Sequence, residues 1–267
     1  MNELVLRTIS GLLYVGLIVT ALLTHPLFAS SVIFIFSALA LLEFQKLNQH
    51  LSPFPILFLA VLFYGHYKYL LSIPLLLSLL VLSAVTNTLL TLKLFSKNKK
   101  PITGGFSKVI TYTYVVFSCF CILALTGPYN DFTPKYLLIT YVLIWCNNSF
   151  AYFVGKTFGR RRLLEHISPK KSWEGFFGGA AFAVFAAVVL WYFFRPLPLG
   201  ILLLLGGLIP ILATLGDLVE SQYKRYSGVK DSGNLLPGHG GFYDRMDSII
   251  FTAPFVWVIL QTIGYVS

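Results

Sequence analysis

Charge is what this sequence has least of. Asp, Glu, Lys and Arg together make up 11% of its 267 residues, where a soluble globular domain carries about a quarter. That shortage excludes an ordinary water-facing surface. Hydrophobic residues reach 57% and the mean hydropathy is +0.78, so the class is integral membrane protein.

Cysteine is scarce too. Cys119, Cys121 and Cys146 all fall in apolar stretches, with no C-x-x-C pair and no histidine at ligand spacing. This argues against a disulfide framework or a thiolate metal site, and the three read as small buried hydrophobes. Acid is rarer than base, ten carboxylates against twenty Lys and Arg, for a net charge of +10. Such an excess suits a face that meets anionic lipid, although membrane topology alone explains most of it, and nucleic acid is not an expected partner. A true phosphate-binding P-loop is also missing. "GKT" at 155–157 resembles part of one, but Phe150 stands where the first glycine is needed, with no strand before it.

Long uncharged runs are abundant. Residues 69–92, 109–130, 136–155, 175–194, 196–216 and 248–267 contain no Asp, Glu, Lys or Arg, and about 20 such residues cross a bilayer as a helix. The run 8–42 is too long for one span and is broken by "THPLF", which predicts a helical hairpin, 8–24 and 27–43. A weaker span at 47–67 is interrupted by Pro53 and Pro55. The expectation is an all-α, polytopic fold of about nine transmembrane helices. Residues 1–130 would hold about five of them and 131–267 the rest, with the catalytic loops, as one continuous membrane domain. A cleaved signal peptide is the rival reading of the N-terminus, since Arg7 precedes an apolar core and "FAS" follows it. A second apolar span comes at once, and no spacing suits a small-x-small cleavage site.

Nine helices alternating from a cytoplasmic N-terminus put 17 of the 20 basic residues on one side, leaving Lys68, Lys135 and Arg195 on the other. By the positive-inside rule the N-terminus and the charged loops are expected in the cytoplasm and the C-terminus outside, so that any active site built from those loops lies on the cytoplasmic face of a multi-pass cell-membrane protein.

Within the basic loop "GKTFGRRRLLEHISPKKSWEGFFGG", Ser168 and Pro169 read as an N-cap and first-turn pair. Lys170 and Lys171 would then lie at a helix N-terminus, where phosphate is favoured. Arg160, Arg161 and Arg162 add cations that topology alone also explains.

Residues 216–248, "GDLVESQYKRYSGVKDSGNLLPGHGGFYDRMDS", hold five of the ten carboxylates. If the preceding helix continues past Gly216, then Asp217, Glu220 or Ser221, and Lys224 share one face. Asp244 and Asp247 fall three apart at the start of the last helix, a position the helix dipole also favours for acids. Between them lie Lys and Arg residues and a glycine-rich stretch. Magnesium takes one or two protein carboxylates together with substrate phosphate oxygens, and phosphate takes Lys, Arg and free amides. The combination predicts a site for a metal-bound nucleoside triphosphate.

From Ser221 to Asp247, "SQYKRYSGVKDSGNLLPGHGGFYDRMD" resembles the signature of the phosphatidate cytidylyltransferases, or CDP-diglyceride synthases. "GDLVES", "ISPKKSWEGFFGG", "AYFVGKTFG" and Arg7 resemble family blocks as well. The likeness is strong over residues 141–255 and elsewhere amounts to hydropathy and span count. It implies transfer of CMP from CTP to phosphatidic acid, with Mg2+ as cofactor, a second cation possible, membrane lipids as surroundings and a homodimer as assembly. No G-x-x-x-G pattern clear enough to name an interface is read.

On that resemblance Asp217 and Asp244 are the expected metal ligands, with Asp247 and Asp231 as further ligands or supports. Lys224, Arg225, Lys230 and Arg245 are expected to neutralise the triphosphate, and Lys170 and Lys171 to hold the lipid phosphate or the far end of CTP. Ser221 is expected at the substrate, and His239 at a phosphate oxygen or the ribose, with Gly238, Gly240 and Gly241 letting backbone approach. One departure stands out: Asn148 occupies a position where many family members carry aspartate. The competing readings are a cytidylyltransferase for another lipid phosphate and a transporter. The second would place its charged site at the bilayer midplane between repeats, and no repeat is visible.

Overall fold

The computed structural model describes residues 3–68, 70–96, 101–102, 104–235 and 240–264, with residues 3–8 and Ile73 given by backbone alone. Arg7 therefore lies on the first helix without a described side chain.

The uncharged runs are helices, and small local signals set their ends. The N-terminal hairpin is α1 (Glu3–Thr24) and α2 (Pro26–Leu47). His25 turns the chain between them, its Nδ1 accepting from Leu27 N at 3.2 Å while Pro26 takes the first helical position. The two prolines that interrupt the third run do so at its start. Pro53 is the cap and Pro55 lies in the first turn of α3 (Phe54–Tyr67), where a missing N–H costs nothing. α4 (Ile73–Leu94) follows. The next rod is α5 (Gly105–Ile110), a π-turn over Thr111–Val116, and α6 (Phe117–Ala124). The C-terminal half is α7 (Lys135–Phe158), α8 (Trp173–Phe194), α9 (Leu199–Tyr226) and α10 (Tyr243–Thr262). Among the described residues six of these rods are long and apolar enough to cross a membrane, and α3 and Ile9–Thr24 are shorter apolar helices.

Among the described residues one connection forms a β-ribbon. Arg162–Leu164 (β1) and Ser168–Ser172 (β2) pair as an antiparallel ribbon between α7 and α8, with an irregularity in its register. This corrects the reading of Ser168 and Pro169 as a helix start. Ser168–Ser172 is extended, and the cap of α8 is Ser172, whose Oγ accepts from Gly175 N at 3.2 Å. A second Ser in the same segment, with Glu174 in the first turn behind it, outcompetes the first. The ribbon projects Lys170 and Lys171 as strand residues.

α10 runs through the middle of the packing and buries Tyr243, Phe251 and Trp257 almost completely. It lies against α2, α4, α6, α7 and α9. Helices in lipid have no hydrophobic driving force for mutual contact, so close approach depends on small residues. At Gly216 a Cβ would stand 2.7 Å from Asp247 O and from Phe251 Cβ, so only glycine lets α9 close on α10. At Gly179 it would stand 2.6 Å from Asn147 O, which brings α8 onto α7 in the same way. The outer surface keeps large apolar side chains such as Leu12, Phe177, Phe185 and Tyr192 exposed, as a lipid-facing surface requires. Cys119 and Cys121 are buried, Cys146 is half-buried, and all three are free thiols.

Candidate active site

The C-terminal ends of α7 and α9 and the N-terminal ends of α8 and α10 meet at one end of the bundle. A cavity of about 710 Å³ lies among them. Its polar wall begins with α9, which continues in helical form to Tyr226 and so stacks Asp217, Glu220, Ser221 and Lys224 along one face. Opposite, the first turns of α10 supply Asp244, Arg245 and Asp247.

Carboxylate oxygens of Asp217, Glu220 and Asp247 all lie within 4.8 Å of one another. Glu220 and Asp247 are buried and Asp217 is half-buried. Three carboxylates at this separation repel one another unless cations sit among them. Lys171 Nζ reaches across from β2 to Asp217 Oδ2 at 2.7 Å. Lys224 Nζ stands between two acids, 2.6 Å from Glu220 Oε1 and 2.8 Å from Asp244 Oδ1. The contact with Glu220 is an ion pair lacking hydrogen-bond alignment. Lys171 and Lys224 thus offset part of the group's charge, and Lys170 and Arg245 line the same cavity. Hard oxygen donors in such a group suit a divalent cation that retains some water, so the residues present fit the expected ion.

Asp244 has a different setting from Asp217 and Asp247. Its Oδ1 accepts from Lys224, and its Oδ2 accepts from Ser232 N at 3.0 Å and Gly241 N at 2.8 Å. It closes the glycine-rich loop, and Glu220 is the third member of the carboxylate group. Gly240 has φ +84, and a Cβ there would meet Asp244 Oδ2 at 2.6 Å, so glycine is needed for the loop to fold back onto the acid.

The remaining expected residues divide by position. Lys170, Asp231 and Arg245 line the cavity. Ser221 Oγ donates to Asp217 Oδ1 at 3.3 Å and orients that carboxylate. Arg225 turns away from the cavity: its Nε donates to Ile167 O at 3.3 Å and its Nη1 to Val229 O at 3.5 Å, tying the end of α9 to the ribbon. Lys230 is exposed and does not line the cavity. Gly238 and His239 lie outside the described residues.

Asn148 does line the cavity. Its Oδ1 accepts from Asn147 Nδ2 at 3.0 Å and its Nδ2 donates to Ser248 Oγ at 3.3 Å. Ser248 N in turn donates to Asp247 Oδ1 at 2.6 Å. The amide therefore joins the carboxylate group by hydrogen bonds where an aspartate would add charge.

Two contributors escape the sequence reading. Arg162 of β1 lines the cavity, although the three arginines were indistinguishable by sequence. Glu43 of α2 is buried and bonds both to Ser232 and to Tyr243. Its one sequence signal is an acid closing the long uncharged run 8–42.

Residues 5–263 match the model of the Cytidylyltransferase family. The chain is similar to the phosphatidate cytidylyltransferase of Bacillus subtilis (strain 168), 45% identical over 132 residues, which are 49% of each protein. It is 46% identical to that of Pseudomonas aeruginosa over 131 residues, 48% of each. With that of Thermotoga maritima it shares 36% over 196 residues, 69% of this chain and 68% of the relative. In the first two the matched stretch spans about half the relative's length. With a family match running nearly from end to end and a T. maritima alignment covering two thirds of both proteins, the chain belongs to the Cytidylyltransferase family.

Proposed function

We propose that this protein transfers CMP from CTP to phosphatidic acid, forming CDP-diacylglycerol and pyrophosphate for phospholipid biosynthesis. The observation that carries this reading is the composition of one cavity wall. Lys156, Arg162, Lys170, Lys171, Lys224 and Arg245 line the same 710 Å³ space as the three-carboxylate group. A site for one monophosphate does not need that many cations. A triphosphate beside a lipid phosphate does.

In the proposed reaction an oxygen of the lipid phosphate, already anionic near neutral pH, attacks the α-phosphorus of CTP. A new P–O bond forms as the bond from the α-phosphorus to the bridging oxygen breaks, and pyrophosphate leaves with that electron pair. No proton has to be removed from the attacking group, so the obstacle is repulsion between two anions and their alignment. Lys170, Arg162 and Arg245 offset that repulsion from the cavity wall. Lys171, paired to Asp217 in the free protein, lies where the phosphates must approach. Asp217, Glu220 and Asp247 would hold Mg2+, which when bound neutralises phosphate oxygens of the attacking and leaving groups. Lys224 keeps Glu220 and Asp244 together, and Asp244 holds the loop that carries Asp231. The positive-inside count supports a cytoplasmic site, which is where CTP is made available.

The test is CMP transfer from labelled CTP by the purified protein, offered a panel of lipid phosphates. Phosphatidic acid should be the preferred acceptor. Preference for a polyprenyl phosphate would move the reading to another acceptor, and no transfer to any lipid would overturn it.

A further inference from the structure

A buried carboxylate in the N-terminal half reaches the site from a helix with no other part in it. Glu43 is one of two acids in residues 1–130, and it is 1% exposed. Its Oε2 accepts from Ser232 Oγ at 2.9 Å and from Tyr243 N at 2.8 Å. These residues lie on either side of the glycine-rich loop. A Cβ added to Gly233 or to Gly241 would collide with the same carboxylate, so both glycines are seated directly on it. Its Oε1 has no hydrogen-bond partner among the described residues. An acid kept at this depth is costly unless it has a task.

The helix that holds it is well anchored. Phe44, the next residue, packs edge-on against the rings of Tyr223 of α9 at 4.9 Å, Tyr243 of α10 at 5.4 Å and Tyr114 at 5.8 Å. Glu43 is therefore fixed relative to both helices that carry the carboxylate group, and the loop between them is bonded to that fixed point. Asp244 grips the loop a second time, through Ser232 N and Gly241 N.

We propose that Glu43 is a positioning residue for the transfer reaction: it holds residues 231–235 and 240–241 against the cavity so that Asp231 and the backbone of those two stretches are in place before CTP binds. This role rests on the reaction proposed above. Without Glu43 these two stretches would leave that position part of the time, and only the fraction in place would accept the nucleotide. If that fraction fell to a tenth, the apparent CTP requirement would rise about tenfold, while saturating CTP would restore turnover.

The experiment compares wild type, Glu43→Ala, Glu43→Gln and Ser232→Ala by backbone amide exchange and by steady-state kinetics. In Glu43→Ala, exchange should rise in peptides covering 229–235 and 240–244 while α7 and α8 stay protected, and KM for CTP should rise about tenfold with kcat changed less than about threefold. Glu43→Gln keeps a carbonyl acceptor for both bonds and should recover most of the protection and the low KM. Ser232→Ala, which leaves Glu43 intact, should shift both readouts in the same direction by less. Unchanged exchange in the loop, or exchange raised throughout the molecule, would overturn the proposal. So would a fall in kcat with KM unchanged. The exchange arm gives its answer even if the wild-type protein transfers nothing from CTP, so failure of the reaction and failure of the loop anchor are separable.

Discussion

At the scale of single residues the site is a balance of buried charges, and Lys224 is where it is most exposed to disturbance. Its side chain is 13% exposed and pairs with Glu220 and Asp244, which are 2% and 6% exposed. Removing one member of such a group leaves the others buried and uncompensated. Lys224→Ala should therefore destabilise the protein by about 3–5 kcal/mol, measurable as a lower thermal midpoint in detergent. Lys224→Arg should keep much of the stability, because the charge remains. If Lys224→Ala melts like wild type, the lysine is not what holds the two acids together. Asp244, expected with Asp217 as a metal ligand on the family resemblance, belongs to the same balance. Its two oxygens serve Lys224 and the loop amides, while Glu220 stands with Asp217 and Asp247.

At the scale of elements, the geometry depends on how closely α9 and α10 approach, since one carries Asp217 and Glu220 and the other Asp247. Gly216→Ala puts a methyl 2.7 Å from Asp247 O. Overpacking of this kind costs about 1–3 kcal/mol, and here it also separates the carboxylates. The variant should lose CMP transfer out of proportion to its lower melting temperature, although no charged residue has changed. Activity close to wild type would mean that α9 and α10 can shift without moving the acids apart.

Much of this was legible in the sequence, for identifiable reasons. Uncharged runs marked the helices because lipid tolerates little else. The shared face of Asp217, Glu220 and Lys224 depended on the helix continuing past Gly216, and α9 does continue, to Tyr226. The ribbon was missed because Ser168 and Ser172 are both plausible caps, and only tertiary pairing with Arg162–Leu164 decides between them. Gly155 and Gly159, with Gly175 and Gly179, do have the G-x-x-x-G spacing that the sequence reading passed over. Gly155, Gly175 and Gly179 pack α7 on α8 within the chain, while Gly159 sits against Ser172. Glu43 could not be placed by spacing, because its partners lie 189 and 200 residues away.

At the scale of the whole molecule, both ends of the bundle set cations over aromatic rings, and one end also sets them in a cavity with acids. At the site end, Lys93 stands over the Tyr226 ring at 6.0 Å and Ser227 Oγ donates to Leu47 O at 2.6 Å, which gathers the ends of α2, α4 and α9. The three basic residues expected on the opposite face each lie over a neighbouring ring: Lys68 over Tyr67 at 5.3 Å, Lys135 over Tyr136 at 5.0 Å and Arg195 over Trp191 at 5.7 Å. Cation and ring together suit a membrane interface, where an apolar body and a polar tip are both accommodated. At the site end the cations line a cavity with acids.

The most direct test of this account follows each phosphorus of the nucleotide. Purified protein in phosphatidic-acid vesicles with Mg2+ is given CTP labelled at the α- or the γ-phosphorus. The account predicts α-label in a lipid product and γ-label in pyrophosphate. Asp217→Asn should lower lipid labelling by at least about a hundredfold, the scale of losing one electrostatic stabiliser of a transition state, while remaining folded. Lipid carrying the γ-label, no labelled lipid at all, or undiminished labelling by Asp217→Asn would contradict it.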